Sequence, residues 1–406
     1  MSSEKFIKNN TALVTLIAAC GVVLISLGVR QTFGLFFMDF KNDLNISITQ
    51  SGLAIGLQML MWGLTGPIFG AMADKYGGHK AISLAFIFYI LGIYFLYSGP
   101  NTGFFFQIDL GILVGIGLGG TAISIPMAVV GKHFPLSNRT IAMSIVTAVG
   151  SFGYFISPLY TSYSLVNNGW TNTLFVFAIF LTVGFVISFF VRSPSLTQSI
   201  EKPNDQSTLN ALTEAFKTKS YLLLTAGFFV CGFHITLVGT HVPTYVIERG
   251  LEEWTAATIL SLIGLFNIFG SLLSGYLSTK ISKKIILSMI YLLRGVSICF
   301  FIFLPPSNIS AFIFGASFGF LWLSTVPATV GIVAHMFGTK YLGLLYGIVF
   351  LSHQIGSFFG AYLGGLFHDL YGSYDYAWYL AIALSIFAGI IHLPIKEKPV
   401  LRLQTE

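Results

Sequence analysis

The stretch Gly70-Ala-Met-Ala-Asp74-Lys75-Tyr-Gly77-Gly-His79-Lys80 is a short charged turn between two long apolar segments. About twenty mostly apolar residues precede it from Ser51, and about twenty follow it from Ala81. Because about 20 apolar residues cross the hydrocarbon core of a bilayer, the turn predicts a tight connection between two membrane-crossing helices. Its Lys75 and Lys80 favour the cytoplasmic side, where loops retain basic residues.

The composition excludes a soluble protein. Of the 406 residues, 55% are hydrophobic and only 9% are charged, whereas a soluble domain carries about 25% charged residues. The net charge of +6 predicts cytoplasmic loops rather than a nucleic-acid partner. The three cysteines, Cys20, Cys231 and Cys299, each lie in an apolar run without metal-like or disulfide-like spacing. We therefore expect no metal and no cofactor.

The same kind of apolar segment recurs along the whole chain, and we number these segments 1 to 12. They cover 12–38, 48–72, 80–98, 104–130, 139–161, 170–191, 220–247, 255–279, 284–304, 309–335, 342–367 and 375–394. An even number of crossings places both chain termini on one side of the membrane. The predicted fold class is an all-α membrane protein with twelve transmembrane helices.

Basic residues are distributed unequally between the two sides. Of the 21 Lys and Arg residues, only Lys41 and Arg249 fall in the predicted outer loops, and only Arg30 and Arg294 fall in the interior of segments. All the others lie in inner loops, at the inner ends of segments or at the chain termini. Since cytoplasmic loops carry an excess of Lys and Arg, we expect both termini in the cytoplasm.

One long polar stretch divides the twelve segments into six and six. It predicts an N-terminal six-helix bundle at 1–191, a cytoplasmic linker at 192–219 and a C-terminal six-helix bundle at 220–406. Residues Thr208 to Lys217 in the linker have the pattern of a short amphipathic helix on the membrane surface.

The two halves resemble each other at an offset of about 204 positions. Four stretches recur at about this spacing, which is typical of a transporter built from two related bundles. These are Gly70–Lys80 with Gly275–Lys284, Gly150-Ser-Phe152 with Gly356-Ser-Phe358, Pro126 with Pro327, and Gly28-Val-Arg30-Gln-Thr32 with Gly232-Phe-His234-Ile-Thr236. The bundles are therefore expected to be pseudo-symmetric.

Segment 4 contains Gly115-Ile-Gly117-Leu-Gly119-Gly120, which fits the dinucleotide-binding pattern literally. That pattern needs a preceding strand, a helix N-terminus and an acid about twenty residues later, and none is expected inside a membrane segment. A face of small residues for close helix packing explains it instead. No nucleophile with a base and no metal cluster is visible, so we do not expect an enzyme.

Ionisable side chains inside the segments are the candidate binding residues, because a charge at the bilayer centre costs roughly 2.5–3.5 kcal/mol even on insertion scales. Arg30 needs water, an acid or an anionic ligand, and no acid lies near the middle of any segment. A snorkelling or carbonyl-bonded Arg30 is the alternative. His234 matches Arg30 by pseudo-symmetry, and His241 follows on the same helix face. Buried packing histidines are the alternative for this pair.

Further polar residues at similar depth complete the candidate site. The predicted substrate-binding set is Arg30, Gln31, His234, His241, Asn267, His353 and Gln354. The predicted gating loop consists of Gly70, Asp74, Lys75, Gly77 and Lys80. For each polar residue, a hydrogen bond between helices is the alternative explanation. Arg294, near mid-depth in segment 9, is expected to have a structural role.

The loop Gly70–Lys80 resembles the signature loop after the second helix of major facilitator superfamily transporters. The runs Gly28–Gly34, Cys231–His241, Gly319–Pro327 and Leu351–Phe358 resemble the bacterial branch near monocarboxylate transporters and oxalate/formate antiporters. The resemblance implies the major facilitator fold and organic-anion transport by alternating access, with proton symport or anion exchange. Asn267 and Ser271 stand where monocarboxylate transporters carry an Asp and an Arg, so their anion site and proton switch do not carry over.

The sequence thus predicts a secondary transporter of a small mono- or dicarboxylate in the bacterial cytoplasmic membrane, acting as a monomer. Its partners are an organic anion, the lipid bilayer and, in a symporter, protons. The alternatives are a carrier of a larger polycarboxylate such as a siderophore, an exporter of an amphiphilic compound, and a transporter-like sensor. Histidines His234, His241 and His353 are the candidate proton carriers, because their unperturbed pKa is about 6.5.

Overall fold

The computed structural model describes residues 3–100, 102–193 and 207–404, and the regular secondary structure in these ranges is helical. They contain 11 helices that are long and apolar enough to cross a membrane. One of them, Asn138–Ser188, is 51 residues long and reverses at Gly169, where φ is 75° and ψ is 166°. The count of crossing segments is therefore twelve, and the predicted fold class is confirmed.

The crossing helices are numbered α1 to α12 in chain order. Their bounds are Ser3–Gln31 (α1), Ile48–Tyr76 (α2), Gly78–Ser98 (α3), Gly103–His133 (α4), 136–168 (α5), 170–188 (α6), Lys219–Glu248 (α7), Glu253–Leu277 (α8), Lys283–Phe303 (α9), Asn308–Phe337 (α10), Leu342–Tyr371 (α11) and Asp375–His392 (α12). In a bilayer core, helices satisfy every backbone hydrogen bond internally, which explains why apolar segments fold this way.

Three crossing helices are interrupted, and two of the breaks, those in α4 and α10, are at corresponding places in the two halves. After Gln31, α1 continues through a 3₁₀ turn, Phe33–Phe36, into the short helix Phe37–Leu44. Helix α4 breaks at 122–123, and α10 breaks between Phe320 and Thr325. The breaks in α4 and α10 precede Pro126 and Pro327, whose rings cannot continue the hydrogen-bond ladder of the preceding turn.

The halves of the chain meet along two seams, α2 against α11 and α5 against α8. We call the end of the molecule that carries Lys41 the Lys41 end, and the opposite end the Asp74 end. Near the Lys41 end, a Cβ built on Gly52 would lie 2.4 Å from the Ala361 oxygen. At the Asp74 end, a Cβ on Gly70, Gly343 or Gly347 would meet no atom within 4 Å. The α2–α11 seam is closed at one end and parted at the other.

The pseudo-symmetry extends to the residues that follow each bundle. The Ser193 hydroxyl accepts a hydrogen bond from the Gly78 backbone at 2.9 Å, at the start of α3. At the start of α9, Glu397 accepts from the Lys284 backbone at 2.7 Å. Burial by itself would raise the pKa of Glu397, but the hydrogen bonds from Lys284 and Ser282 outweigh it and lower the pKa. Both tails thus satisfy free N–H groups of a helix N-terminus.

The predicted linker, 192–219, lies partly outside the described residues, which omit 194–206, so the domain boundaries remain a prediction. Its second part forms the helix Thr208–Lys217, capped by the Ser207 hydroxyl. Ala211 and Ala215 are buried against the bundle, while Phe216 is half exposed. Such an arrangement fits a helix lying at the surface of the membrane.

Glycine at position 356 allows α7 and α11 to touch through their backbones. A Cβ on Gly356 would lie 1.9 Å from the Phe229 oxygen, a clash that small residues at helix contacts avoid. We expect Gly356→Ala to lower stability by about 1–3 kcal/mol through overpacking. Thermal unfolding of the purified protein in detergent measures this.

The control lies on the same helix. Gly347→Ala adds the same methyl group where no atom lies within 4 Å, and Ala has the higher helix propensity. Its unfolding temperature should stay the same or rise. Equal losses in both variants would contradict close packing as the reason for Gly356.

Candidate functional site

Arg30 lies in the last turn of α1, between the two bundles, and is partly exposed. Its Nη2 donates to Met59 Sδ at 3.3 Å, and its Nη1 lies 3.5 Å from Gln31 Oε1. The guanidinium carbon is 5.8 Å from the centre of the Trp62 ring. Among the described residues, no carboxylate lies within 4.0 Å of Arg30. The positive charge is therefore uncompensated by a protein acid.

Two of the other predicted residues are brought close to Arg30 by the α2–α11 seam. Gln354 is buried in α11, and its Nε2 donates to the Met59 oxygen at 3.1 Å. Its Oε1 lies 3.0 Å from Nδ1 of His353; since the amide oxygen only accepts, Nδ1 carries the proton. Met59 thus contacts both Arg30 and Gln354. Through Met59, the structure brings Gln354, and His353 bonded to it, close to Arg30 and Gln31.

His234 and His241 are fully buried, and each bonds to a helix of its own bundle. The His241 ring also contacts Phe37 of the N-terminal half, with ring centres 5.7 Å apart. Nε2 of His234 donates to the Ala381 oxygen of α12 at 2.8 Å. Nε2 of His241 donates to the Ala361 oxygen of α11 at 2.7 Å. In the described chain, no hydrogen bond joins either ring to Arg30. Both histidines make helix contacts in this conformation, and their role at the substrate remains a prediction.

Asn267 joins three helices. Its Nδ2 donates to Ser151 Oγ of α5 at 3.0 Å, across the α5–α8 seam. Its Oδ1 accepts from the Leu323 backbone at 3.0 Å, inside the break of α10. Because both ends of the amide have protein partners, Asn267 stabilises the seam and the break in this conformation. Whether it also binds substrate remains a prediction.

Arg294 stabilises the same break from the other side. It is fully buried, and its Nη2 and Nε donate to the Leu321 oxygen at 2.8 and 3.2 Å. It also donates to the Trp322 oxygen and stacks near the Tyr291 ring, 5.4 Å from its centre. These carbonyls are the groups that the interrupted helix leaves free. The structural role expected for Arg294 agrees with these contacts.

The predicted gating loop covers the end of α2 and the first turn of α3, with Gly77 as the single residue between the two helices. Gly77 adopts φ 95°, a conformation that side chains with a Cβ rarely adopt. The Asp74 carboxylate forms an exposed ion pair with Lys132 of α4 at 2.6 Å. Lys132 was not among the predicted site residues, although its position at the inner end of segment 4 was the available signal.

At the Lys41 end, an ionic network crosses between the bundles. Asp369 of α11 accepts a hydrogen bond from the Thr49 backbone at 2.8 Å, in the first turn of α2. His368 lies 3.2 Å from Asp369 and 2.7 Å from Glu248. Both ring nitrogens face carboxylates, which fits a cationic imidazole. Sequence reasoning did not identify this network, because its partners are far apart in the chain.

Comparisons with known proteins agree with this architecture. The family model described as Major Facilitator Superfamily matches residues 18–330. The sialic acid transporter NanX of Escherichia coli is 25% identical, over 82% of this chain and 81% of its own length. Mouse monocarboxylate transporter 6 is 24% identical, over 70% of this chain and 66% of its own length. The cis,cis-muconate transport protein of Acinetobacter baylyi is 24% identical, over 79% of this chain and 78% of its own length.

Replacing Asp369 by Ala should loosen the Lys41 end, because it removes the acceptor that ties α11 to the first turn of α2. A hydrogen bond to a charged group contributes roughly 1.5–3 kcal/mol. Spin labels at Lys41 and Tyr371, in a background without native cysteines, should report a new population at longer distance. Asp375→Ala, at an exposed acid of α12, is the control. An unchanged distance distribution in Asp369→Ala would contradict a closing role for this network.

Proposed function

This chain belongs to the major facilitator superfamily. We propose that it moves a small organic carboxylate across a bacterial cytoplasmic membrane by alternating access. Residues 18–330 match the family, and the relatives named above are transporters rather than enzymes. The protein is thus a multi-pass membrane transporter. The carboxylate substrate, the cytoplasmic termini and the monomeric state are the finer parts of the proposal.

The positive charge of Arg30, which no neighbouring acid compensates, is the main observation that supports this proposal. A cation held inside a membrane protein is expensive unless water, an acid or an anion compensates it. Arg30 has a thioether, an amide and an aromatic ring as neighbours, and none of these carries a negative charge. A carboxylate suits the remaining donors, because the planar guanidinium can bind both of its oxygens. We assign Arg30 as the carboxylate-binding residue, assisted by Gln31, His353 and Gln354.

Alternating access is supported by the unequal seam between the bundles. If the Lys41 end faces outward, as the distribution of Lys and Arg indicates, the α2–α11 seam is closed to the outside in this conformation. Near the Asp74 end, a Cβ on Gly70, Gly343 or Gly347 would meet no atom within 4 Å, which supports an opening of this seam towards the cytoplasm. The opposite state would part the Lys41 end and bring these glycines together.

The predicted gating loop also has a proposed role in alternating access. In the present conformation Asp74 pairs with Lys132 of its own bundle. We propose that Asp74 and Lys75, with Gly70, Gly77 and Lys80, contact the opposite bundle when the cytoplasmic side closes. The exposed pair costs little to break, since surface ion pairs contribute about 0–1 kcal/mol. Such a contact can therefore exchange during each transport cycle.

Replacing Arg30 should weaken carboxylate binding. Arg30→Lys keeps the charge but loses the planar pair of donors, and Arg30→Ala loses both. Since a hydrogen bond to a charged group contributes roughly 1.5–3 kcal/mol, we expect at least a tenfold weaker affinity in Arg30→Ala. Titrated thermal shift with benzoate, pyruvate, succinate and muconate measures the affinity, with sugars and amino acids as comparison compounds.

The control for this experiment is Arg139→Ala, at an exposed arginine near the start of α5. It removes the same charge at the Asp74 end, away from Arg30, and its affinities should match the unmodified protein. Carboxylate affinity that persists unchanged in Arg30→Ala would remove Arg30 from the site.

Proton coupling, if present, requires a group that titrates near neutral pH and reaches both sides in turn. His353 suits this role best among the three candidate histidines. Its Nδ1 contacts Gln354, which in turn contacts Met59 beside Arg30. His234 and His241 instead donate to backbone carbonyls within their bundle. They remain candidates only if the other conformation releases them.

We expect His353→Gln to abolish the dependence of uptake on a pH gradient while leaving exchange of labelled for unlabelled substrate. Glutamine keeps a donor and an acceptor but cannot titrate. Uptake into liposomes with an acidic outside, compared with no gradient, measures this. His335→Gln, in the last turn of the second half of α10, is the control. A carrier that ignores the gradient with all histidines intact would be an exchanger or a uniporter.

A further inference from the structure

Aromatic rings from both bundles form a series of contacts that begins beside Arg30. Trp62 of α2 contacts Phe350 of α11, with ring centres 6.0 Å apart and planes at 68°. Phe350 stacks on His353 at 5.7 Å, and His353 contacts Phe228 of α7 at 5.0 Å. Trp62 and Phe350, like Arg30, keep part of their surface exposed.

The position of the Trp62–Phe350 contact along the seam is informative. One residue beyond Trp62, a Cβ on Gly63 would lie 2.9 Å from the Gln354 side chain, so the helices are still in contact. At Gly70 and Gly347, the corresponding positions have no neighbour within 4 Å. The aromatic pair is therefore close to the point where the bundles part, beside the opening towards the Asp74 end.

Among the described residues, Arg30 is the one cation available to a ligand at this site. In the described part of the chain, Arg30 and Arg294 are the Lys and Arg residues in the interior of the predicted apolar segments. Arg294 is fully buried and donates to the Leu321 and Trp322 carbonyls. His353 has its Nδ1 proton on Gln354. A ligand at Arg30 can thus have one carboxylate neutralised, whereas a second would be desolvated without a partner.

We propose that the site takes a monocarboxylate with a planar, apolar body and discriminates against dicarboxylates. The inference rests on the proposed function and narrows its substrate class. The carboxylate binds Arg30, and the body packs against Trp62 and Phe350. Contacts between aromatic rings add a modest stabilisation beyond the area they bury. An unpaired second carboxylate costs several times more, because a buried charge without a partner is strongly unfavourable.

Because Trp62 and Phe350 belong to different bundles, they are specificity residues that also connect the halves. A planar body lying against both rings adds contacts between α2 and α11 where the seam begins to part. A short-chain carboxylate such as acetate reaches Arg30 without touching the rings. The effect of the ligand's planar body and the effect of its number of carboxylates can therefore be measured separately.

The test compares benzoate, terephthalate and acetate on the purified protein by titrated thermal shift. Terephthalate adds only a second carboxylate to benzoate, and acetate lacks the planar body. We expect benzoate to bind at least tenfold more tightly than either. Trp62→Leu should weaken benzoate about tenfold and leave acetate unchanged, while Trp62→Phe should retain most of the benzoate affinity. Trp254→Leu, at the Lys41 end, is the control and should change neither.

The outcomes separate the two proposals. Equal affinity for benzoate and terephthalate, or an equal loss of benzoate and acetate in a folded Trp62→Leu, would overturn the aromatic monocarboxylate site while leaving Arg30 as a carboxylate site. If none of the three compounds binds in an Arg30-dependent way, and the wider carboxylate panel fails as well, the proposed function itself fails.

Discussion

The hydrocarbon core of a bilayer offers no hydrogen-bond partner, and this constraint governs the whole structure. Every backbone group must be satisfied within the protein, so each crossing segment is helical and each interruption needs substitute partners. The break in α10 shows what this requires. Arg294 donates to the Leu321 and Trp322 carbonyls, and Asn267 accepts from the Leu323 backbone. Several polar side chains at depth therefore satisfy the backbone, whereas the contacts of Arg30 are to side chains, which is why we propose it as the ligand-binding residue.

Close approach of helices is the second consequence of the same environment. Because lipid tails are as apolar as the side chains, helices associate through packing and not through the hydrophobic effect. Glycines let α7 and α11 contact through their backbones at Gly232 and Gly356. Between the bundles, close contacts are concentrated near the Lys41 end. Tight packing within a bundle and uneven packing between bundles together allow each bundle to move as a unit.

The fold could be predicted from the sequence because its signals are local. Segment length, the charged turn at Asp74 and the distribution of Lys and Arg each depend on neighbouring residues. The site was predictable only in part. Arg30 stood out because a charge at depth is rare, whereas the orientations of His234 and His241 depend on α12 and α11, which helical periodicity does not reveal. The Asp369 network joins residues 320 positions apart, and no pattern within one segment indicates it.

The reversal at Gly169 has a mechanical meaning. A single residue with positive φ connects α5 to α6, so there is no flexible loop to absorb strain between them. The Trp170 indole is also bonded to Asp43 at 2.8 Å, which fixes the tip of this hairpin to the chain after α1. Helix α5 forms one seam with α8, packed so closely that a Cβ on Gly264 would lie 2.5 Å from the Phe155 nitrogen. A tilt of α5 at that seam would therefore be transmitted to α6, so that the two helices move together as one rigid hairpin.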